Sequence, residues 1–426
     1  MSTLPPNYQF VELTPALRGE IIDLKRWAFP CEVTRDEMLS VPDVIDYQRM
    51  MGVRHGPDQA LVAMHSSFGW SQFKVPGATV SVAGLSTVAV HPEHRRKGLL
   101  NAIMNQHFAH CVQRNEAFSI LVASEAVIYG RYGYGRAADC FSLSLSRGAA
   151  LRPVEGSTEV SVRIIDLDAK KDAELIDRIH SEAGTQGVFA RSGWATRNTS
   201  ALKELMLTDY PSRLSGGEET RLMLAEREGR PVGYALFRRS DIWQSWAAGT
   251  PGSNVGVKEF VASDGAVAHA LWSRLLDLDL TAKIGTAITA MDDPLLNLLV
   301  DVKAAEPKLE DLLWLRLIDV AQALTARQYA ADVDVVLEVS DARLPANAGR
   351  WRLRAKAFSS EVQLLPTDVD ADLRLDVREL GAAYLGGVSL AALAGAGLVG
   401  FESPEVLLRA ASAFQWPIAP GCSWFF

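Results

Sequence analysis

VAVHPEHRRKGLLNAIM, residues 88–104, decides how this chain is read. Val88, Ala89 and Val90 alternate as on a strand, with the two valines on one face and the alanine on the other. Pro92 cannot donate to a ladder and ends it. Arg95, Arg96 and Lys97 then crowd against Gly98, and an apolar run with helical spacing fills residues 99–114. The first amides of such a helix have no intrahelical partner. Together with the positive end of the helix dipole, three cations and a glycine that admits a ligand to the backbone, they form an anion site suited to a pyrophosphate. A solvated basic turn is the competing reading, and these residues alone do not choose between the two.

The rest of the chain narrows the choice. At 426 residues it exceeds one ordinary domain, and two to three are expected. An apolar content of 48% with 22% charged residues describes a soluble globular protein. The net charge of −8 argues against a nucleic-acid partner and suits a cationic small substrate. Cys31, Cys111, Cys140 and Cys422 are far apart without CxxC spacing, so they read as free thiols in a reducing compartment. The opening MSTLPPNYQF has no basic region followed by an apolar core, which predicts a cytoplasmic protein without a signal peptide. Residues 380–401 carry no charge and are long enough to span a bilayer, but six of them are glycine and no basic cluster flanks them. A buried glycine-rich turn and helix is expected there, and no membrane association.

Residues 8–30 predict a strand and then an amphipathic helix, with Thr14 as N-cap and Pro15 at its first position. Strands follow near 59–67 and 78–90, then the helix 99–114, a buried strand at 117–124 and an alternating strand at 140–147. This is a mixed α/β domain over 1–150, with 148–159 as a linker. A second unit, 151–305, contains a hairpin turning at Glu228-Gly229. Its VGVKEFVASDGAVAHALWSRLL repeats the strand–loop–helix order of the opening stretch, with Ser263-Asp264-Gly265-Ala266 in place of the bases. It reads as a degenerate copy, leaving one anion site per chain. From 306 to 426, a helix in LWLRLIDVAQALTAR and strands in DVDVVLEVS, GRWRLRAKAF and ADLRLDVREL predict an α+β domain.

A second chemical feature lies in SEAVIYGRYGYG, residues 124–135, just past a strand expected to border Val88–Val90. A tyrosine hydroxyl there could protonate a leaving group of similar acidity, such as a thiolate. Aromatic packing is the commoner fate of tyrosine and the stronger reading on these residues alone. GYGRAA mimics a dinucleotide fingerprint but precedes a strand, so the match is accidental. GxxxxGK[ST], GxSxG and HExxH are absent. His107, His110 and Cys111 share a helix face without a carboxylate, which describes packing and no metal site. Trp194, in ARSGWATR, is a lone loop aromatic.

V-A-V-x-P-x-x-R-R-x-G followed by Y-G-R-Y-G-Y resembles the GNAT superfamily of acyl-CoA N-acyltransferases, whose [Q/R]-x-x-G-x-[G/A] loop is matched by Arg95, Gly98 and, imperfectly, Leu100. AGLSTVAVHPEHRRKGLLNAIM, ASEAVIYGRYGYGRA, LWLRLIDV, DADLRLDVRELGAAYLGG and the terminal SWFF resemble, more specifically, the Eis family of mycobacterial-type aminoglycoside and lysine N-acetyltransferases. The resemblance covers nearly the whole chain. It implies two GNAT-like domains, the second without a CoA loop, then a sterol-carrier-like domain. It also implies acetyl-CoA as co-substrate, no metal, and a homohexamer.

Residue by residue, the resemblance implies that the backbone of Val88, Ala89 and Val90 holds pantetheine and thioester. Arg95, Arg96, Lys97, Gly98, Leu99, Leu100 and Asn101 take the pyrophosphate, and Ser124 and Glu125 also touch CoA. Tyr129 is implied as general acid and the α-carboxylate of Phe426 as general base. Trp424, Phe425 and Phe426 are costly to leave in water, so they are expected to bury, which would fix that carboxylate and raise its pKa. A terminus docked only for packing is the competing reading. The stretch from Trp27 to Phe29, Ser86 and Trp194 are candidates for the acceptor lining. The expected function is N-acetylation of primary amines, aminoglycosides first. Protein lysine or a polyamine is the alternative acceptor, and a carrier protein with a vestigial transferase domain is the alternative from another class.

Overall fold

The alternating apolar residues of the N-terminal segment become a sheet. β1 (Tyr8–Glu12), β2 (Met50–His55), β3 (Ala60–Val75) and β4 (Ala78–Val90) pair antiparallel in sequence order, and β5 (Phe118–Leu121) runs parallel to β4. The structure is a computed structural model and describes residues 4–30, 32–41, 44, 46–187, 189–214, 217–240 and 253–426; Cys31 and the first three residues of the N-terminal reading lie outside them. The helix Arg18–Ala28 buries Ile21, Ile22 and Leu24, and the helix Leu99–Gln113 buries Leu99, Ile103, Met104 and Phe108. One local expectation fails. Thr14 makes no side-chain cap, because Pro15–Leu17 forms a separate 3-10 turn and the helix proper begins at Arg18.

The chain continues through β6 (Gly135–Ser146), β7 (Ser161–Asp166), β8 (Arg221–Arg227), β9 (Arg230–Ser240), β10 (Ser253–Ala262) and β11 (Thr281–Ala290), in the sheet order β6-β11-β10-β9-β8-β7. The β8–β9 turn has φ of 52° at Glu228 and 72° at Gly229, the twist that tight hairpins favour. β10 leads through a short loop into the helix Gly265–Leu276. Asp264 caps that helix, its carboxylate accepting from the amides of Ala266 and Val267. The second unit thus repeats the strand–loop–helix plan with an acid sealing the helix where the first has cations.

β12 (Lys308–Leu317) corrects a second expectation. LWLRLIDVAQALTAR is the end of this strand plus a short helix, Val320–Thr325, and not one helix. Leu312, Leu313, Leu315, Arg316 and Leu317 are all fully buried, so both strand faces are covered and the two-residue alternation disappears. β12 pairs antiparallel with β5, Trp314 opposite Leu121. β13 (Val333–Ser340), β14 (Gly349–Ala355), β15 (Val362–Pro366), β16 (Leu373–Asp376) and β17 (Val399–Phe401) form a separate sheet in the order β15-β14-β13-β16-β17. Residues 380–401 divide among the helix Val377–Tyr384, the helix Leu390–Gly395 and β17. No helix among the described residues is long and apolar enough to cross a membrane.

Two compact units result. One comprises Met1–Ala138, Leu312–Pro417 and Phe426, and the other Asp139–Asp311 with Ile418–Phe425.

Candidate active site

β4 and β5 part almost as soon as they meet. Their parallel ladder has two rungs, Ala83 opposite Ser119 and Gly84 opposite Ile120. The 117–124 strand does neighbour the strand that carries Val88–Val90, as its sequence suggested, but the pairing stays at the root and ends before Val88. Thr87 adopts a φ of 49°, and the pairing of β4 with β3 slips between Met64 and Ser66. Such a bulge bends its strand and increases local twist. The result is a wedge in which Val88–Val90 keeps β3 on one edge and offers to the gap its other edge, which no strand among the described residues pairs.

At the mouth of the wedge the basic turn takes the shape its sequence suggested. Arg96 and Gly98 have positive φ, 61° and 81°, and the helix starting at Leu99 has no side-chain cap. A Cβ on Gly98 would meet nothing within 4 Å, so its φ and not crowding demands glycine, and the space before the first amides is open. Arg95, Arg96 and Lys97 are exposed, and none is in an ion pair among the described residues. Leu99 is a core residue packed with Val53, Val62 and Ile103. It and the half-buried Leu100 can therefore serve a ligand through their amides.

The opposite wall follows β5. Ser124 and Glu125 are exposed, Ala126–Tyr129 makes one helical turn, and Gly130–Tyr132 a 3-10 turn closed by Gly133 at φ 81°. Tyr129 packs against the buried cluster of Leu121, Tyr132 and Tyr134, the same cluster against which Val88 and Leu100 pack from the other wall. Its ring stands edge-on to Tyr134 at 5.9 Å, while its hydroxyl has no hydrogen-bond partner among the described residues. Burial, and then Glu125 and Tyr132, push the Tyr129 hydroxyl up to about 12. It is a protonated, uncommitted donor at neutral pH. Tyr134, by contrast, donates to Ser119 Oγ at 2.8 Å, and Ser119 Oγ lies 2.8 Å from His107 Nε2. Burial lowers the pKa of His107 and of His65, the latter to about 3, which keeps this inner network neutral.

The last residue lies at the root of the wedge. Phe426 stands edge-on to Trp70 at 4.8 Å, and Trp70 lies over Gly84, the final residue of β4 to pair with β5. In the other unit Trp424 is buried, its indole N–H donating to the Ala195 carbonyl at 2.8 Å. Phe425 is 51% exposed, which corrects the expectation that all three terminal aromatics bury. Ser423 donates to Glu259, and its hydroxyl lies 2.8 Å from His180 Nε2, so polar bonds around a buried carboxylate hold the tail as well as apolar contact.

The structure brings Val88–Val90, Arg95–Asn101 and Ser124–Tyr129 around one wedge. Phe29 packs against the cluster that contains Met64 and Ala89, and Ser86 sits at the bulge, its carbonyl accepting from Ser66. Trp194 belongs to the core of the other unit, its ring tilted against that of His180 at 4.7 Å, where it also lines a cavity of 320 Å³ with Phe260, Asp264 and Ile288. One wall residue escaped sequence reasoning. Arg343 lies with its guanidinium 4.3 Å over the Tyr132 ring and reaches Asn101, and partners so distant in sequence leave no local signal. No group of three or more His, Cys, Asp or Glu among the described residues could hold a metal.

Comparison with known proteins gives the same architecture. Residues 11–137 and 193–317 each match the description "Acetyltransferase (GNAT) domain", and residues 320–423 match "Sterol carrier protein domain". An uncharacterised N-acetyltransferase of Streptomyces avermitilis is 36% identical over 380 residues, covering 87% of this chain and 88% of the relative. The N-acetyltransferase Eis of Mycobacterium tuberculosis is 32% identical over 371 residues, covering 84% of each. The crystal structure of Eis1 from Mycobacterium abscessus superposes with a TM-score of 0.79 at 29% identity, over 98% of this chain and all of that one.

Proposed function

Because the chain belongs to the Eis-like N-acetyltransferases of the GNAT superfamily, we propose that it transfers the acetyl group of acetyl-CoA to primary amines of aminoglycosides, at one or several positions. The observation that carries this reading is the β4–β5 wedge, with a cationic turn and an uncapped helix at its mouth and Tyr129 on its wall. Acetyl-CoA supplies an acetyl group activated as a thioester. Arg95, Arg96, Lys97 and the amides of Gly98–Asn101 hold its diphosphate. The free edge of Val88–Val90 pairs with the pantetheine amides, one of these backbone N–H groups polarises the thioester carbonyl, and Ser124 and Glu125 flank the arm. As the amine nitrogen bonds to the carbonyl carbon and the C–S bond breaks, the Phe426 carboxylate takes the amine proton. Tyr129 gives its proton to sulfur.

Phe29 and Ser86 are assigned to the acceptor side, and the net charge of −8 favours a polycationic acceptor. The working division of the chain is 1–150 for catalysis, 151–305 for the copy without a CoA loop, and 306–426 for the sterol-carrier-like segment. Hexameric assembly and a cytoplasmic site of action rest on the family resemblance alone. Incubation with acetyl-CoA and a panel of aminoglycosides, lysine peptides and polyamines, read by mass spectrometry, tests the assignment. One or more acetyl increments on the aminoglycosides are expected. Acetylation confined to lysine peptides or polyamines would replace that acceptor class, and no acetylation of any amine would overturn the reading.

A further inference from the structure

We propose that the connection between β13 and β14 is a working part of the acyl-donor site, and that Arg343 is a positioning residue that sets the spacing of its two walls. The inference rests on the reading of the β4–β5 wedge as the acetyl-CoA cleft. Arg343 Nε donates to the carbonyl of Arg131 at 2.9 Å, in the turn that directly follows Tyr129. Its Nη2 and Nη1 face the side-chain oxygens of Asn101 and Asn105 at 3.3 and 3.5 Å. Those residues lie one turn apart on the helix whose first amides serve the diphosphate. One planar guanidinium, stacked on Tyr132, therefore ties the diphosphate wall to the Tyr129 wall. The next residue, Leu344, packs into the same cluster as Val88, Leu100 and Tyr129.

The loop itself is rigidly seated. Asp341 accepts from the amides of Arg343 and Leu344, both at 3.0 Å, from Asn347 Nδ2 at 2.9 Å and from the fully buried Arg316 at 2.6 Å. Asn347 in turn donates to the carbonyls of Leu317 and Ile318 and accepts from the amide of Val320. Arg316 also abuts the far end of the Tyr129 turn, where a Cβ on Gly133 would stand 3.0 Å from its guanidinium. The two asparagine contacts are long for hydrogen bonds, so Arg343 sets a distance and does not hold the fold. The fold is held beneath it by the buried Arg316–Asp341 pair.

The test uses the full chain and three readouts: Kd for CoA by calorimetry, KM for acetyl-CoA and for the amine by thiol release, and Tm. Arg343→Ala is expected to weaken CoA binding and raise the acetyl-CoA KM about tenfold, the scale of one charge-assisted hydrogen bond. The amine KM should stay within twofold and kcat within threefold, a split that general destabilisation would not give. Arg343→Lys keeps the charge but not the planar fork and should behave like Arg343→Ala; wild-type binding in it would show that charge alone suffices and overturn the positioning role. It also carries the test if the alanine variant does not melt cooperatively. Wild-type Kd in a folded Arg343→Ala overturns the inference. A wild-type protein that fails to bind CoA at all overturns the donor-cleft reading beneath it.

Discussion

Adding one methyl group at Gly84 reaches the proposed base through a single ring. A Cβ there would lie 1.9 Å from Trp70 Cζ3 and 2.4 Å from Cη2. Carbon atoms in contact stand about 3.5–4.0 Å apart, so the indole must retreat by about 1.5–2 Å. It has no solvent to retreat into: Trp70 is buried, with Phe68 stacked at 5.4 Å, Phe73 at 6.1 Å and Phe426 at 4.8 Å. Overpacking of this kind costs about 1–3 kcal/mol, which calorimetry reads as a lowered Tm. Phe68 and Phe73 are buried while Phe426 is half-buried, so Phe426 is the neighbour with room to give way. A displacement of about 1 Å in a reacting group costs about a hundredfold in rate. Gly84→Ala is therefore expected to lose about two orders of magnitude in kcat, followed by release of the CoA thiol, while CoA binding at the mouth of the wedge stays close to wild type. Trp70→Phe on that background restores room and part of the rate. A glycine appended after Phe426 leaves Trp70 alone yet moves the carboxylate, and it should lose the rate without the stability. Wild-type kcat in Gly84→Ala would refute the idea that Trp70 and Phe426 set the reaction geometry.

Tyr129→Phe should lower kcat by at least about a hundredfold with little change in Tm, since the hydroxyl it removes has no hydrogen-bond partner among the described residues. An unchanged rate would return Tyr129 to a packing role. Because its hydroxyl is pushed up to about 12, the proton is held well past the ordinary tyrosine value of 10, and kcat should show no falling limb near pH 10. A limb centred there that vanishes in Tyr129→Phe would contradict the burial argument. Glu259 in the other unit accepts from Arg197, Tyr234 and Ser423; burial raises its pKa, but Arg197 and His180 outweigh that and hold it at about 2. A depressed folded value means its stabilisation is complete above the unfolded value of 4.5 and is lost as pH falls towards about 2. Glu259→Gln leaves the Arg197 charge buried without a counter-charge and should destabilise that unit by about 3–5 kcal/mol, read from near-UV circular dichroism melts. An unchanged melt would mean that the pair contributes nothing.

Sequence reasoning reached furthest where function is local. Strand, basic turn and helix occupy seventeen consecutive positions, and Arg95–Gly98 stands as its residues suggested because nothing distant is needed to shape it. It failed in β12, where Leu312, Leu313, Leu315 and Leu317 are buried and the buried Arg316 supplies the charge a helix surface would show. Burial on both faces erases the period that separates strand from helix. Thr14 failed for a different reason: a proline after a capping residue is compatible with a 3-10 turn as well as an α-helix. The wedge was half legible, since the strands could be named but not how soon they separate. That depends on the Thr87 bulge, a backbone conformation that no residue type announces here. Arg343 and Asp341 were beyond reach because their roles exist only once β13 has returned to the first unit.

That return has a consequence for how the protein can be made and cut. The unit holding the wedge is discontinuous in sequence: β5 waits for β12 until residues 139–311 have been synthesised. A nascent or excised fragment ending near residue 138 would present the edge of a fully buried strand to any other extended chain. Expression of the first acetyltransferase segment alone should therefore yield aggregates, and a soluble catalytic fragment would have to be spliced, joining residues 1–138 to 312–426 across a designed linker.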